Sequence, residues 1–565
     1  MWPLSNPHQH IIDGKLEQRA KALASAPAFN EASHQAYLDA TACEIVANIE
    51  KGVWTASEVL EAYISRAAKV QEATNCLTEV FFDRARTRAA ELDAEFAQTK
   101  RLKGPLHGVP ISVKPGAAVD IEGIDTTIGL SQWAKHGPAT SDADLVATMI
   151  AAGAIPFVKT NVPQTMFTFE SVNPMWGRTL NPHNPAFGAG GSSGGEAALI
   201  GGGGSPLGLG SDVGGSLRIP TAFCGIYSLK PAGGRVSAYG ARSPVKGMEA
   251  LRTAMGPMGR SIEDLERFCR VAFGQTGRSL DVAPLPYRDV QLPKKLKFGY
   301  YTSDNIIKAS PACARTVLET VDTLRKAGHE CVEIVPYDAA RAFLIFVALT
   351  SGDGYETLTS HIPPDPQDET LFLVTLGPKL GSFIRAIAGW AVANVLGDTF
   401  FANLLRLAHA KPVKEFWKST AERNDYAQAF YENVWDKHQL DGIIAPVLAT
   451  PQLPHGGCKT LTPMACGTAL YNLVDSPVGI LPAGRVDPGK DALTDAWRSE
   501  PGHGSSMLEK ELYTKFYDPV AMKGMPVGIQ IIGRRWEEEK VLEMMKVVDN
   551  ALGERGFGMK AWKDL

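Results

Sequence analysis

Residues 188–230 constrain this chain more than any others: GAGGSSGGEAALIGGGGSPLGLGSDVGGSLRIPTAFCGIYSLK. Nearly half of 188–215 is glycine, yet serines, Glu196, Asp212 and Arg218 interrupt the run, so it does not repeat as a flexible linker does. Apolar Ile219, Phe223, Ile226 and Leu229 follow at once. The glycines therefore read as conformational: without Cβ atoms, backbone N–H groups can turn through positive φ and converge on a developing negative charge. A plain Gly/Ser-rich surface loop is the alternative that composition alone allows.

Phosphate-binding motifs do not fit. No Gly-Lys-Ser/Thr follows the glycines, and Val213 stands where a dinucleotide fingerprint after Gly208-x-Gly210 needs its third glycine. A nucleophile elbow is the sharper rival, because Gly191-Ser192-Ser193-Gly194-Gly195 matches G-x-S-x-G with Ser193 central, and His107-Gly108 would serve as its oxyanion motif. That elbow must follow a buried strand. The preceding Asn181-Pro182-His183-Asn184-Pro185 has two prolines and no β-branched run.

GGSSGGE, a glycine-rich spacer and then GSDVGGSLRIP, ending at Pro220, resemble the amidase signature family, and the resemblance runs from about Thr55 to Gly553. It implies an α/β fold: an α/β/α sandwich whose large twisted mixed β-sheet is covered by helices on both faces. It also implies a Ser, cis-Ser, Lys triad, with Ser216 as nucleophile, Ser192 on a cis peptide after Gly191, and Lys114 of Pro110-Ile111-Ser112-Val113-Lys114 as base. The N–H groups of Val213, Gly214, Gly215 and Ser216 would form the oxyanion hole. Ser193, Ser211, Asp212 and Arg218 are supporting candidates, the last two either as an ordinary salt bridge or in a direct role. Met166, Phe167, Thr168 and Gly191 are candidate substrate contacts. Relatives commonly carry an acidic residue after the base, whereas Pro115 follows Lys114 here, which puts the support of Lys114 in question and biases its backbone to extended.

The residue types suit amide cleavage. A serine hydroxyl needs a base to attack, and the departing amide nitrogen needs a proton, so one shuttle can serve both steps. A lysine can be that shuttle only if burial and hydrogen bonding lower its pKa by a few units. Lys114, after an apolar run, suits this; an arbitrary lysine there would be a solvated strand end.

At 565 residues, with no Pro/Ser linker or charge run dividing it, the chain reads as an N-terminal segment over 1–50 and one catalytic domain over 51–560. Net charge of -4 argues against nucleic-acid binding. The eight cysteines lack C-x-x-C pairs, which predicts buried free thiols and neither zinc nor disulfides. No metal or cofactor is expected. The polar N-terminus has no signal-peptide core and no segment carries the ~18 uninterrupted apolar residues that spanning requires, so a cytoplasmic protein is expected.

Thr55-x-x-Glu58 reads as a capping box opening a helix with Val59, Leu60, Tyr63, Ile64 and Ala67 along one stripe. Strands are predicted over 109–113, 155–158, 296–300, 331–335, 443–444 and 527–532, and helices over 144–152, 311–326 and 537–548. Residues 386–397 read as an amphipathic or buried helix.

Residues 161–170, then Asn173-Pro174 and Gly177-Arg178-Thr179, are similar to the eukaryotic branch of the family that holds fatty acid amide hydrolases and fungal acetamidases. In 371–417, Phe372, Leu376, Phe383, Ile384, Trp390, Val395, Phe400 and Leu404 alternate with Lys379, Arg385, Arg406 and Lys411. That pattern fits a membrane-touching cap or acyl channel, and equally core helices with solvated basic faces. Three readings therefore stand: a Ser-cisSer-Lys amidase acting on a lipophilic, aryl or short-chain carboxamide, an α/β-hydrolase esterase using Ser193, and a non-catalytic or amidotransferase-type subunit. The expected partners are a small-molecule amide, a membrane surface at the periphery and a second copy in a homodimer.

Overall fold

The computed structural model describes residues 6–116, 120–500 and 506–564. Residues 1–5 of the expected N-terminal segment lie outside it. Eleven strands form one sheet: β1 (Leu77–Val80), β2 (Pro110–Val113), β3 (Ile155–Thr160), β4 (Leu207–Asp212), β5 (Tyr227–Lys230), β6 (Ala254–Gly259), β7 (Lys297–Tyr300), β8 (Glu330–Glu333), β9 (Gly442–Pro446), β10 (Val478–Arg485) and β11 (Pro526–Ile532). Their order is β1-β3-β2-β4-β6-β5-β10-β11-β9-β7-β8. β2 runs parallel to both β3 and β4, as β7 does to β8 and β9, while the pairs between β4 and β9 are antiparallel. The sheet is mixed, as expected.

Alternation along the strands assigns the two faces to two cores. Ile444, Leu481, Ile529 and Ile531 join one apolar cluster with the helices Ala56–Thr74 and Glu538–Leu552. Ile443, Ala445, Val478 and Ile480 join the other with the helices Ala339–Thr350 and Cys466–Leu473. Helices thus cover both faces.

The Ala56–Thr74 helix starts where its capping box predicts: Thr55 Oγ1 accepts from Glu58 N at 3.1 Å and Glu58 Oε2 accepts from Thr55 N at 2.8 Å. All eight cysteines are free and all but Cys43 are buried. Two expectations need correction. The strand predicted over 331–335 is Glu330–Glu333, because its partner β7 ends at Tyr300; Val335 lies beyond it and is exposed. The segment predicted as an amphipathic or buried helix over 386–397 is the helix Ser382–Asn394, of which only Gly389 is buried.

Residues 371–417 divide by packing. Val374, Ala402 and Leu404 turn inward, whereas Phe383, Ile384, Ile387, Trp390, Val395 and Leu396 are more than half exposed. Among the described residues no single helix is long and apolar enough to cross a membrane; the helical stretch Glu369–Lys379 and the helix Ser382–Asn394 pass that test only as a pair bent by 110°.

Candidate active site

β2 and β4 lie side by side, and their ends bring Lys114 beside Ser211 and Asp212. Lys114 N still pairs with Leu209 O at 3.0 Å, and Pro115, with no N–H, cannot extend the ladder. The Lys114 side chain is buried. Its Nζ reaches Ser192 Oγ at 2.9 Å, Ser211 Oγ at 2.8 Å and Ser211 O at 3.3 Å. Burial lowers its pKa from the ordinary 10.5 to about 7, against the opposing pull of Asp212 and Glu196. Lys114 is therefore supported by two serines instead of the acidic neighbour that Pro115 replaces.

Ser192 follows Gly191 across a cis peptide bond. Ser193 N donates to Ser216 O at 3.2 Å, which ties the two serine-bearing turns together. Ser216 is half-buried where Ser192 and Ser211 are buried. After β4 the chain turns through Gly215 at φ +134, a backbone conformation that a side chain rarely adopts. Asp212 ties this turn down: one carboxylate oxygen accepts from Gly215 N, Arg218 Nη2 and Asn472 Nδ2, each at 2.9 Å, and the other from Leu217 N and Arg218 Nε at 3.0 Å. Burial opposes its charge, but Arg218 overcomes that and holds the carboxyl well below the usual range. Arg218 also donates to Thr468 O at 2.8 Å and Asn472 Oδ1 at 2.6 Å, and Thr468 Oγ1 to Gly214 O at 2.6 Å.

Of the four amides expected around the oxyanion, one is engaged within the turn itself. The Gly215 N–H is already taken by Asp212; among the described residues, the N–H groups of Val213, Gly214 and Ser216 meet no protein acceptor.

Two cavities meet at Ser216. One is mostly apolar, encloses about 980 Å³ with its open mouth, and places Phe343, Phe346, Phe401, Leu404 and Leu405 around Val213, Gly214 and Ser216. The second is more polar and is lined by Ser192, Ser211 and Ser216. Met166 and Phe167 wall both cavities, and Thr168 and Gly191 wall the apolar one. Ser193 lines neither, is fully buried, and follows no strand, so an elbow built on it has no access to substrate.

Glu196, Asn472 and Thr468 were not readable as site residues. The Glu196 carboxyl accepts from Ser112 Oγ and from Thr160 Oγ1 at 2.7 Å; burial raises its pKa to about 7, with those hydrogen bonds opposing. Its place beside the double serine was the available signal. Asn472 and Thr468 lie some 250 positions from the residues they hold, and no local pattern marks them. The motif at 161–179 closes on itself: Asn173 Nδ2 donates to Asn161 Oδ1 at 2.8 Å and Asn161 Nδ2 to Thr179 Oγ1 at 3.0 Å, while Gly195 N donates to Asn161 O at 3.0 Å. It braces the double-serine turn from behind.

The family described as Amidase matches residues 58–542. The chain is similar to fatty-acid amide hydrolase 1 of Sus scrofa, with 32% identity over 517 residues covering 90% of this chain and 85% of that one. Its likeness to an acetamidase of Emericella nidulans is also 32%, over 525 residues, 91% of this chain and 89% of the relative. Among solved structures, a fatty acid amide hydrolase superposes with a TM-score of 0.83 at 27% identity, covering 98% of this chain and 92% of that one.

Proposed function

The chain belongs to the amidase family and is an amide hydrolase, and from that premise we propose that it cleaves lipophilic or aryl carboxamides through an acyl-enzyme formed on Ser216. The observation that supports this most directly is the buried Lys114, hydrogen-bonded to Ser192 with a pKa near neutrality, beside a half-exposed Ser216.

In the neutral state Lys114 accepts the Ser192 proton while Ser192 accepts that of Ser216, whose Oγ attacks the amide carbonyl carbon. The carbonyl oxygen takes the negative charge, and the amides of Val213, Gly214 and Ser216 are free to donate to it. Collapse breaks the C–N bond as the proton returns through Ser192 to the departing nitrogen. Water then attacks the ester, its proton following the same path, and the carboxylic acid leaves Ser216 free. No histidine takes part.

The apolar cavity supports assigning the acyl group to that side. The exposed apolar side chains of Ser382–Asn394 and its neighbourhood favour peripheral membrane contact. Labelling with a fluorophosphonate and mapping the modified peptide should find the probe on Ser216, with labelling and turnover both lost in Ser216→Ala. Label on Ser193 in an active Ser216→Ala protein would replace this reading with the esterase elbow. Co-sedimentation with phospholipid vesicles should fall when Phe383, Ile387 and Trp390 are replaced by Ser. Concentration-dependent self-association lost in that same variant, without vesicle binding, would make the face a homodimer interface instead.

A further inference from the structure

The polar cavity runs outward from Ser216 past Met248 to Glu249 and Arg252. Gly247, Glu249 and Arg252 also line a second depression, closed on its far side by Arg423, Asp475 and Arg535. A continuous surface therefore joins the serines to three arginines. Arg252 is laid against the Gly233–Gly234 turn so closely that a Cβ on Gly233 would come within 2.6 Å of Arg252 Cβ. The turn is itself fixed, since Gly233 N donates to Asp475 Oδ1 at 2.7 Å and Arg535 Nε pairs with Asp475 Oδ2 at 2.9 Å.

Arg423 is half-buried and donates to neutral acceptors, Leu473 O at 2.9 Å and Asn424 Oδ1 at 3.0 Å. Among the described residues neither Arg423 nor Arg252 has a carboxylate within ion-pair distance. Burial lowers the Arg423 pKa; Asp475 opposes this, and the charges of Arg535 and Arg252 add to it. Arg423 thus feels one carboxylate, which already accepts from two donors, and the like charges of both Arg535 and Arg252. The remaining carboxylates of these walls, Glu249 and Asp281, are exposed to water, where screening leaves them little influence, and Arg278 is committed to Asp144 at 2.8 Å. Arg252 and Arg535 are exposed and only Arg423 is half-buried, so the cluster presents surplus positive charge at an open rim where an anion can reach all three.

We propose that Arg252, Arg423 and Arg535 form a subsite for an anionic group, a carboxylate or phosphate, carried on the amine half of the amide substrate several bonds beyond the scissile nitrogen. The assignment rests on acylation of Ser216. With the acyl chain in the apolar cavity, the amine faces the polar one, and planar guanidinium forks match carboxylate and phosphate oxygens.

The test uses one acyl group joined to ω-amino acids of increasing length and, at each length, to the ω-amino alcohol as neutral counterpart. The ratio of kcat/KM for acid over alcohol should exceed one and peak at an intermediate length. It should fall about tenfold in Arg423→Gln and in Arg252→Gln, and recover in part in Arg423→Lys. Calorimetric binding of the same compounds to Ser216→Ala protein, with and without Arg423→Gln, reads the subsite without turnover. A preference for the acid there, when the parent protein itself cleaves neither compound, would keep the subsite and reject the acyl-enzyme reading. An acid-to-alcohol ratio of one at every length, or one that neither arginine substitution moves, overturns the subsite. Inorganic phosphate binding at the arginines without discrimination between the amides would likewise overturn its assignment to substrate.

Discussion

Lys114 is where burial and chemistry conflict most openly. Folded, it loses its proton at about pH 7; unfolded, at about the ordinary 10.5. Between these values the unfolded chain binds more protons, so this residue makes stability rise with pH across that window, and below about 7 the cost of holding a buried charge is present in full. Lys114→Met should therefore unfold at higher urea than the parent at pH 6, by on the order of a few kcal/mol, with the gap closing towards pH 10. The same variant should lose orders of magnitude in turnover. In the parent, kcat/KM should climb through an inflection near pH 7 and then level off as the amine becomes neutral. A rate that declines above pH 7, or one that survives in Lys114→Met, would remove Lys114 as the base. Lys114, Ser192 and Ser216 were legible as candidates because the double serine, the second serine and the lysine sit in fixed short motifs. Asp212 and Arg218 were legible only as a pair: that Asp212 would consume the Gly215 amide depends on how the turn closes, which residue types do not specify.

At the scale of elements, the segment 371–417 carried two meanings that sequence could not separate, because apolar residues at helical spacing look alike whether they face a cavity or solvent. In the fold the apolar residues of the segment divide between helices. Leu404 and Leu405, on Thr399–Leu407, line the apolar cavity together with Phe343 and Phe346 of Ala339–Thr350, whereas Phe383 and Trp390 point to solvent. Acyl selectivity should follow the first group alone. In a homologous series of acyl amides of one amine, each methylene taken into the cavity contributes up to about 0.8 kcal/mol, or roughly fourfold in kcat/KM. Phe346→Ala and Leu404→Ala should flatten or displace that series, and Phe383→Ala should leave it unmoved. A parent optimum at acetyl, indifferent to all three changes, would leave a short-chain amidase. Strands β4 and β6 escaped the sequence reading for a related reason. LGLGSD and AMGPMG contain the glycines and proline that usually mark loops, yet both are buried strands. Pro257 is tolerated because β5 pairs with β6 only at Met258 and Gly259, so its missing N–H falls where that ladder has already ended.

Over the whole molecule, the alternation of strands and helices announced a covered sheet, but the strand order was beyond reach of local pattern. Placing β4 between β2 and β6 joins residues about a hundred and about fifty positions away, and such pairings are decided by which buried faces fit. The two chain ends illustrate the same dependence. Trp562 is buried against the N-terminal region: its Nε1 donates to Asp39 Oδ1 at 3.0 Å, its ring meets Phe29 edge-on at 6.2 Å, and the Arg66 guanidinium stacks 4.8 Å from it while Arg66 Nη2 donates to Trp562 O at 2.9 Å. Gly203, at the end of the glycine run, leaves room for the indole; a Cβ there would come within 2.6 Å of Trp562 Cβ. The last turn of the chain thus clamps residues 29–66 to the segment that carries the double serine. Trp562→Ala should cost about 3–5 kcal/mol, read as a lower urea midpoint, because it removes a large buried side chain together with its hydrogen bond to Asp39 and its stacking on Arg66. Since Trp562 lines neither cavity at Ser216, kcat/KM per folded molecule should stay at the parent value at temperatures well below the new midpoint. A fall in kcat/KM that tracks the loss of stability would instead mean that the clamp sets the geometry of the serines as well as holding the ends together.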